Sequence, residues 1–199
     1  MKMIAITGRS GCGKSSVSAY LREKGCTVID ADLVARQIME PPSPCPQALA
    51  KEFGEDILDE NGNLKRRMLA DRAFATPQGT QALTRITFPE IRRRILEQVK
   101  EATLRGERLC FVDGAVIVGT PMEPEFERII LVETPLEESI RRISARDGIS
   151  PEMARRRLDA QTPVEQLEQA AHVILKNEGS LDQLHDLIDE MINELLKTI

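Results

Sequence analysis

The chain has 199 residues, of which 41% are hydrophobic and 30% are charged, and its formal net charge is −5. This length suits one domain with a hydrophobic core and small inserted lobes, and the composition is typical of a folded globular protein, not of a disordered one. The acidic balance argues against a surface that grips nucleic acid, and no apolar stretch approaches the ~20 residues that span a membrane.

The N-terminal apolar run is too short for a signal peptide. The four cysteines, Cys12, Cys26, Cys45 and Cys110, show neither metal-ligand nor disulfide spacing. We therefore expect reduced thiols in a cytoplasmic protein, with neither a membrane nor a nucleic acid as partner. We favour a monomer and leave an oligomer open.

Strands and helices alternate along the chain. Short apolar or β-branched runs predict five strands, at residues 2–7, 27–29, 109–113, 128–132 and 173–175. Periodic segments and their end signals predict helices at 13–24, from 32 to about 40, from Pro89 onwards, and at 137–147, 150–158 and 181–196. This order predicts an α/β fold with a mostly parallel sheet of about five strands and helices on both faces.

Between the proline-rich run 41–46 and Gly106 the pattern is mainly helical, which predicts a separate lobe. The predicted organisation is a single domain, residues 1–199. Its core comprises residues 1–56 and 106–199, a helical lobe covers about 57–105, and a lid covers about 146–165.

The segment after the first strand fits the phosphate-loop pattern G-x-x-x-x-G-K-[ST], since it reads Gly8-Arg9-Ser10-Gly11-Cys12-Gly13-Lys14-Ser15. Glycines let the backbone approach a phosphate, and successive N–H groups together with the start of the helix form a site for an anion. Lys14 would reach the β- and γ-phosphates of ATP, and the Ser15 hydroxyl would bind Mg²⁺. The pattern also arises by chance, but here it follows an apolar strand and opens a helix. Within the loop, Cys12 is either exposed or, as is more common, buried and inert.

Three acids lie at predicted strand ends, where parallel sheets bind ligands: Asp30, Asp32 and Asp113. A kinase needs a carboxylate that takes the proton of the accepting hydroxyl. Asp32 is the better candidate for this base, although an Asp at a helix start is also a common N-cap. Asp113 ends an apolar run in the way of a Walker-B acid.

Arginines occur in clusters, at 92–94, at 141, 142 and 146, and at 155–157. In an acidic chain they favour a polyanionic ligand, because guanidinium groups bind phosphates bidentately. A solvated helix face explains 92–94 equally well. Arg146 is the strongest functional candidate, since it ends a helix just before the predicted lid.

The chain resembles the dephospho-CoA kinase family along nearly its whole length. The resemblance lies in the phosphate loop, in Val28-Ile29-Asp30-Ala31-Asp32 followed by Ala35-Arg36, in Phe53-Gly54, in Arg146-Asp147-Gly148 with Arg155, Gln161 and Pro163, and in Asn177 with Gly179-Ser180-Leu181. It implies a P-loop kinase fold in which ATP phosphorylates the ribose 3′-hydroxyl of dephospho-CoA.

The resemblance also implies roles for individual residues. It implies that Asp32, Lys14 and Arg146 are catalytic. Asp32, Arg36 and Asp113 would contact the acceptor, and Ser15 would bind Mg²⁺. Asn177 would lie near the adenine. The ATP-binding set comprises Gly8, Ser10, Gly11, Cys12, Gly13, Lys14, Ser15, Ser16, Arg142 and Asn177.

Two segments depart from the family's pattern. Phe88-Pro89 stands where the family usually has His-Pro, and Asp113-Gly114-Ala115-Val116-Ile117 stands where it often has an Asp-x-Pro-Leu-Leu-like run. Both belong to the acceptor side. One alternative is therefore a P-loop kinase for another small molecule, such as a nucleotide or a shikimate-like acid, although it would not require the 30–36 segment. The other is a regulatory switch or a non-catalytic relic; the Asn-Lys-x-Asp signature of guanine switches is absent from the sequence, and Lys14, Asp32 and Arg146 are all retained.

Overall fold

The computed structural model of the protein describes residues 1–114 and 117–197. Its five strands are β1 (Lys2–Thr7), β2 (Thr27–Asp30), β3 (Leu109–Asp113), β4 (Arg128–Glu133) and β5 (Val173–Lys176). They form one sheet in the order β2-β3-β1-β4-β5, and each pair of neighbours is parallel. The predicted strands and the parallel sheet are confirmed.

The central strand β1 is covered on both faces. Ile4 and Ile6 belong to a core that includes Val17 and Leu21 of one helix and Ile188 of another. Met3 and Ala5 point to the opposite face, because side chains alternate along a strand, and they are buried as well. A strand that is buried on both sides is the usual consequence of helical crossovers between parallel strands.

Nine helices lie in the described part of the chain: α1 (Lys14–Glu23), α2 (Ala31–Gln37), α3 (Cys45–Phe53), α4 (Arg66–Ala73), α5 (Pro77–Leu104), α6 (Leu136–Asp147), α7 (Pro151–Asp159), α8 (Val164–Ala170) and α9 (Leu181–Lys197). Short 3₁₀ turns occur at Glu55–Ile57 and Glu123–Glu125. Among these helices, none has the length and apolarity required to cross a bilayer.

The chain forms two compact units. The first unit comprises Met1–Asp30 with Val99–Ile199, and the second comprises Ala31–Gln98. The first unit contains the whole sheet, and the second contains α2, α3, α4 and most of α5. The predicted division into core, acceptor lobe and lid remains a prediction, since compactness does not say which residues hold a substrate.

Helix ends follow the predicted signals in the segment around α6 and α7. Gly148 adopts the left-handed conformation that ends α6, with φ of 65°. Ser150 caps α7, because its hydroxyl oxygen accepts a hydrogen bond of 3.2 Å from the Met153 N–H.

One prediction about proline was wrong. Pro89 does not open a helix but lies inside α5, which begins at Pro77. A proline inside a helix costs about 3 kcal/mol or more, and here the packing of α5 on either side offsets that cost, since Ala82, Ile95 and Ala102 are buried. The run 41–46 follows α2, which ends at Gln37, and no helix passes through it. Its last residues begin α3 at Cys45, with Pro46 in the first turn, where the missing N–H would have had no helical partner.

The arginine run 92–94 lies on α5, and two of its members are paired within that helix. Arg93 binds Glu90 at 2.7 Å and Glu97 at 2.5 Å, and Arg94 binds Glu90 at 2.9 Å. Hydrogen bonds from Arg93 and then Arg94 lower the pKa of Glu90 to about 2. These pairs give Arg93 and Arg94 a local explanation on the helix itself, without a phosphate ligand.

The apolar face of α9 is expected to contribute strongly to stability. Ile188→Ala should lower the free energy of unfolding by about 2–5 kcal/mol, because it removes most of a fully buried side chain and leaves a cavity in its place. Leu187→Ala, one position along and 37% exposed, should cost far less. Urea unfolding of both variants measures the difference, and equal losses would contradict this packing.

Candidate functional site

The phosphate loop joins β1 to α1 at the carboxyl end of the sheet. Lys14 is the first residue of α1, and its Nζ donates a hydrogen bond of 2.9 Å to the carbonyl oxygen of Gly8. The lysine thus lies across the loop that precedes it. Ser15 is exposed and Ser16 half-buried in the first turn of α1, so both can reach a ligand at the start of the helix.

Three glycines of the loop, Gly8, Gly11 and Gly13, cannot be replaced without displacing a neighbour; at Gly11, with φ of 80°, a Cβ would lie 2.7 Å from the carbonyl oxygen of Ser139. Gly13 has φ of 96°, and a Cβ there would collide with the Asn177 side-chain amide. Gly8 has φ of 151°, and a Cβ there would lie 2.5 Å from the carbonyl oxygen of Val132. All three backbone conformations disfavour a side chain.

The carbonyl oxygen of Cys12, in the loop after β1, is contacted by residues of two other loops. It accepts a hydrogen bond of 2.9 Å from Asn177 Nδ2, in the loop after β5. Thr134, directly after β4, has its hydroxyl 3.1 Å from this oxygen and 2.8 Å from the carbonyl oxygen of Asn177, and donates to one at a time. All three residues are buried. Burial also raises the pKa of the Cys12 thiol, which agrees with an inert, protonated cysteine.

Arg142 of α6 lies against the same loop. Its Nη1 is 3.4 Å from the carbonyl oxygen of Gly11, and its Nε donates 2.8 Å to Glu138 one turn earlier. The hydrogen bonds of Arg141 and Arg142 lower the pKa of Glu138 to about 2. Glu138 is therefore ionised at neutral pH and holds the guanidinium of Arg142 in place.

The end of α7 and the residues that follow it also contact the loop. Gln161 accepts a 2.9 Å hydrogen bond from the Ser10 N–H through Oε1 and donates one of 2.6 Å to the Ser10 hydroxyl through Nε2. Arg9 donates to the carbonyl oxygen of Leu158. The segment predicted as a lid is thus hydrogen-bonded to the first part of the phosphate loop.

The predicted acids fall in two places. Asp30 and Asp113 end adjacent parallel strands and are Cα partners in the register, and Asp113 Oδ2 accepts a 2.6 Å hydrogen bond from the buried Ser18 hydroxyl of α1. Asp32 belongs to the second unit, where it is the second residue of α2 and so lies inside the first turn. Arg36 is one turn further along α2, and its Nε donates 3.2 Å to the Asp32 carbonyl oxygen.

Arg146 ends α6 and is engaged in an ion pair. Its Nε and Nη2 bind the two carboxylate oxygens of Asp147 at 2.7 and 2.9 Å, and its side chain is 58% exposed. Arg157 binds the same carboxylate at 2.6 Å. The structure does not bring Arg146 onto the phosphate loop, whereas it does place Arg142 there.

Two cavities open beside this edge of the first unit. One, of about 370 Å³, is lined by Glu133, Glu168 and Glu178 as well as by Arg9 and Lys176. Burial first, and then neighbouring Glu168, raise the pKa of Glu133. This acidic lining does not suit a triphosphate. The other, of about 610 Å³, lies at the loop after β5, which contains Asn177.

Sequence reasoning did not single out Thr134, Ser18 or Glu138 as site residues. Thr134 carries a usable signal, since it directly follows a strand of a parallel sheet. Ser18 and Glu138 lie inside helices, and their roles depend on side-chain partners distant in sequence or packed against the loop. In the described ranges, no group of three or more His, Cys, Asp or Glu side chains could hold a metal ion by itself.

A dephospho-CoA kinase family model matches residues 2–183 of the chain. The chain belongs to the dephospho-CoA kinase family. The dephospho-CoA kinase of Corynebacterium glutamicum is 34% identical over 199 residues, which is the full length of both chains. The predicted family is confirmed, and with it a kinase of coenzyme A biosynthesis that uses ATP.

Solved structures agree with this assignment. A crystal structure of a Thermus thermophilus protein has a TM-score of 0.83 and 34% identity, covering 98% of this chain and 97% of its own. A dephospho-CoA kinase from Campylobacter jejuni has a TM-score of 0.63 and 27% identity, covering 97% and 96%. The predicted P-loop kinase fold is therefore confirmed.

Replacing Gly13 tests the loop geometry. Gly13→Ala should weaken ATP binding at least tenfold, because the new Cβ must displace the Asn177 amide from the Cys12 carbonyl. Gly25→Ala is the matched control, since Gly25 has φ of 82° but no atom within 4 Å of a Cβ. Its cost should be about 1–2 kcal/mol of stability with unchanged ATP affinity. Calorimetric titration separates the variants, and equal ATP affinities would refute the proposed constraint.

Proposed function

We propose that this chain transfers the γ-phosphoryl group of ATP to the ribose 3′-hydroxyl of dephospho-CoA, giving CoA and ADP. The observation that carries the proposal is the phosphate loop, whose left-handed glycines and buried Cys12 carbonyl network hold backbone N–H groups at the start of α1. Family membership supplies the acceptor. We also propose that the protein works in the cytoplasm, where its four unpaired cysteines stay reduced.

The ATP phosphates would bind to the loop from Gly8 to Ser16. Lys14 would exchange its hydrogen bond to the Gly8 carbonyl for the β- and γ-phosphates, and Arg142 would add a positive charge beside Gly11. Asn177 contributes by fixing Cys12, since its side-chain amide is already bonded to that carbonyl. The cavity at the loop after β5 supports a place for the adenine there.

The residues at the start of α1 also fit Mg²⁺. This cation keeps several waters and usually needs only one or two protein ligands in addition to phosphates, so the absence of a three-acid cluster among the described residues is no obstacle. Ser15 would hold the ion, with Asp113 near it through water. Bound there, Mg²⁺ would neutralise charge on the transferring phosphoryl group.

On the acceptor side, Asp32 is proposed as the general base. Its carboxylate would take the proton of the 3′-hydroxyl while the oxygen attacks the γ-phosphorus and the bond to ADP breaks. Arg36 would bind an acceptor phosphate, Asp113 would orient the ribose, and Arg146 would leave Asp147 to stabilise the transferred group. Positioning and charge neutralisation would supply most of the rate enhancement.

Two segments bear on acceptor selectivity. Phe88 is half-buried on α5, next to the exposed Pro89. Of the run 113–117, Ala115 and Val116 lie outside the described residues.

A coupled ADP-release assay with ATP and Mg²⁺ tests the acceptor. Dephospho-CoA should give turnover, while adenosine, AMP and shikimate, supplied separately, should give little or none. Faster turnover with one of these rivals would reject the acceptor and retain the kinase.

Asp32→Asn should lower kcat by roughly 10²–10⁴ and leave ATP affinity nearly intact, because the amide keeps the shape but cannot accept the proton. Steady-state rates and ATP titration on the same preparation measure both effects. Unchanged turnover would remove Asp32 from this role.

Lys14→Ala should behave differently. It should weaken ATP binding and turnover together, since Lys14 is proposed to contact the phosphates before and during transfer. Near-normal activity would refute the assignment of the phosphate loop, whatever the result for Asp32→Asn.

A further inference from the structure

Ser18 is a buried hydroxyl to which the proposed reaction gives no part. It lies on α1, four residues after Lys14, and is 1% exposed. A serine inside a helix usually points to solvent or donates to the carbonyl oxygen four residues earlier, which here is that of Lys14. The Ser18 hydroxyl donates a hydrogen bond of 2.6 Å to Oδ2 of Asp113, at the end of β3. The contact thus differs from the two usual arrangements of a serine in a helix.

Asp113 faces α1 because of its register in the sheet. Its Cα partner in β1 is Ile6, and Ile6 and Phe111 both belong to the core that includes Val17 of α1. Side chains alternate along a strand, so Asp113, two residues after Phe111, points to the same face. The carboxylate therefore continues the row of β3 side chains that pack against α1, up to the edge where the phosphate loop begins.

Asp113 also lies close to the phosphate loop. Burial raises the pKa of the Cys12 thiol, Lys14 opposes that rise and Asp113 adds to it, so both charged groups act on this residue of the loop. Lys14 donates to the carbonyl oxygen of Gly8 and leaves Asp113 to Ser18. Among the described residues, the hydrogen bond from Ser18 engages only one carboxylate oxygen of Asp113, and Oδ1 remains able to accept from another donor.

Ser18 is related through α1 to the proposed ligand of Mg²⁺. Ser15 and Ser18 are three residues apart on this helix, so they lie on one side of it about one turn apart. Mg²⁺ keeps several waters and is usually bound through one or two carboxylates in addition to substrate phosphates. A residue that holds such a carboxylate in place commonly changes metal affinity by about 10–100-fold when it is replaced.

We propose that Ser18 is a positioning residue for the Mg²⁺ that accompanies ATP. By holding Oδ2 of Asp113, its hydroxyl fixes the carboxylate against α1, so that Oδ1 accepts a hydrogen bond from a water bound to the ion. The inference rests on the proposed place of Mg²⁺ at Ser15 and deepens it. Ser18 is buried and acts only through Asp113.

ATP titrations without an acceptor test this role, because they measure binding without phosphoryl transfer. In EDTA, wild type and Ser18→Ala should have the same Kd for ATP. As free Mg²⁺ is increased, Ser18→Ala should need about ten times more of the cation than the wild type to reach its tightest ATP binding, the lower end of what such a supporting residue contributes. Ser18→Cys should show a smaller rise, since a thiol is a weaker donor.

Ser144→Ala is the matched control. Ser144 lies inside α6, and its buried hydroxyl oxygen has no hydrogen-bond partner in the part of the chain that the structure describes. The substitution makes the same chemical change as Ser18→Ala. It should leave the Mg²⁺ requirement of ATP binding as it is in the wild type.

Asp113→Asn shows whether Ser18 acts through Asp113. The neutral amide should raise the Mg²⁺ requirement at least as much as Ser18→Ala does. Adding Ser18→Ala to Asp113→Asn should then raise it no further, because two residues that act as one unit do not have additive effects.

Several results would overturn the proposal. One is a wild-type ATP affinity that does not depend on Mg²⁺. Another is an equal loss of ATP affinity with EDTA and with Mg²⁺ in Ser18→Ala, which would make the hydrogen bond a structural tie between α1 and β3. Additive effects in the double variant would also contradict it. If Ser18→Ala does not fold, Ser18→Cys decides, and an unchanged Mg²⁺ requirement in that variant would overturn the proposal.

The proposed acceptor is judged separately. Absence of turnover with dephospho-CoA in the wild type would reject that acceptor, whereas the ATP titrations would still decide the role of Ser18.

Discussion

The carbonyl oxygen of Cys12 accepts a hydrogen bond from Asn177 and lies within reach of the Thr134 hydroxyl, so the loops after β1, β5 and β4 converge on one buried atom. Buried polar groups are costly when unpaired, and this oxygen is paired with the Asn177 amide even when the Thr134 hydroxyl donates elsewhere. The convergence requires that no side chain stand between Gly13 and Asn177. The shape of the phosphate loop is therefore set as much by distant loops as by its own glycines.

The same arrangement concentrates donors in an acidic protein. Backbone N–H groups at the start of α1, the ammonium of Lys14 and the guanidinium of Arg142 all lie at this loop, although the chain carries a net charge of −5. The cavity next to it is lined by three glutamates, and one of them, Glu133, has a raised pKa. A polyanion is therefore attracted to the phosphate loop and disfavoured in the cavity lined by the glutamates.

The sequence predicts the sheet well because each strand is short, apolar and bounded by turn residues. It predicts the phosphate loop well because the pattern of that loop is contained in eight consecutive residues. Pro89 was wrongly predicted to begin a helix because proline disfavours the interior of a helix. The packing of α5 on both sides of Pro89 overrides this local preference. Thr134 and Ser18 were missed because their partners, Cys12 and Asp113, are about one hundred residues away.

The ion pairs of Arg146 are compatible with the role proposed for it, because they can be exchanged for a contact with a phosphoryl group. Asp147 is bound by both Arg146 and Arg157, and both guanidinium groups are about half exposed. Exposed pairs contribute little, whereas a bidentate contact with a phosphoryl group in a site that excludes water is much stronger. If Arg146 moves to the transferred phosphoryl, Asp147 keeps Arg157 and is not left unpaired. Breaking the pair between Arg146 and Asp147 therefore costs little free energy. The contact of Arg146 with the phosphoryl group would supply the favourable free energy of the exchange.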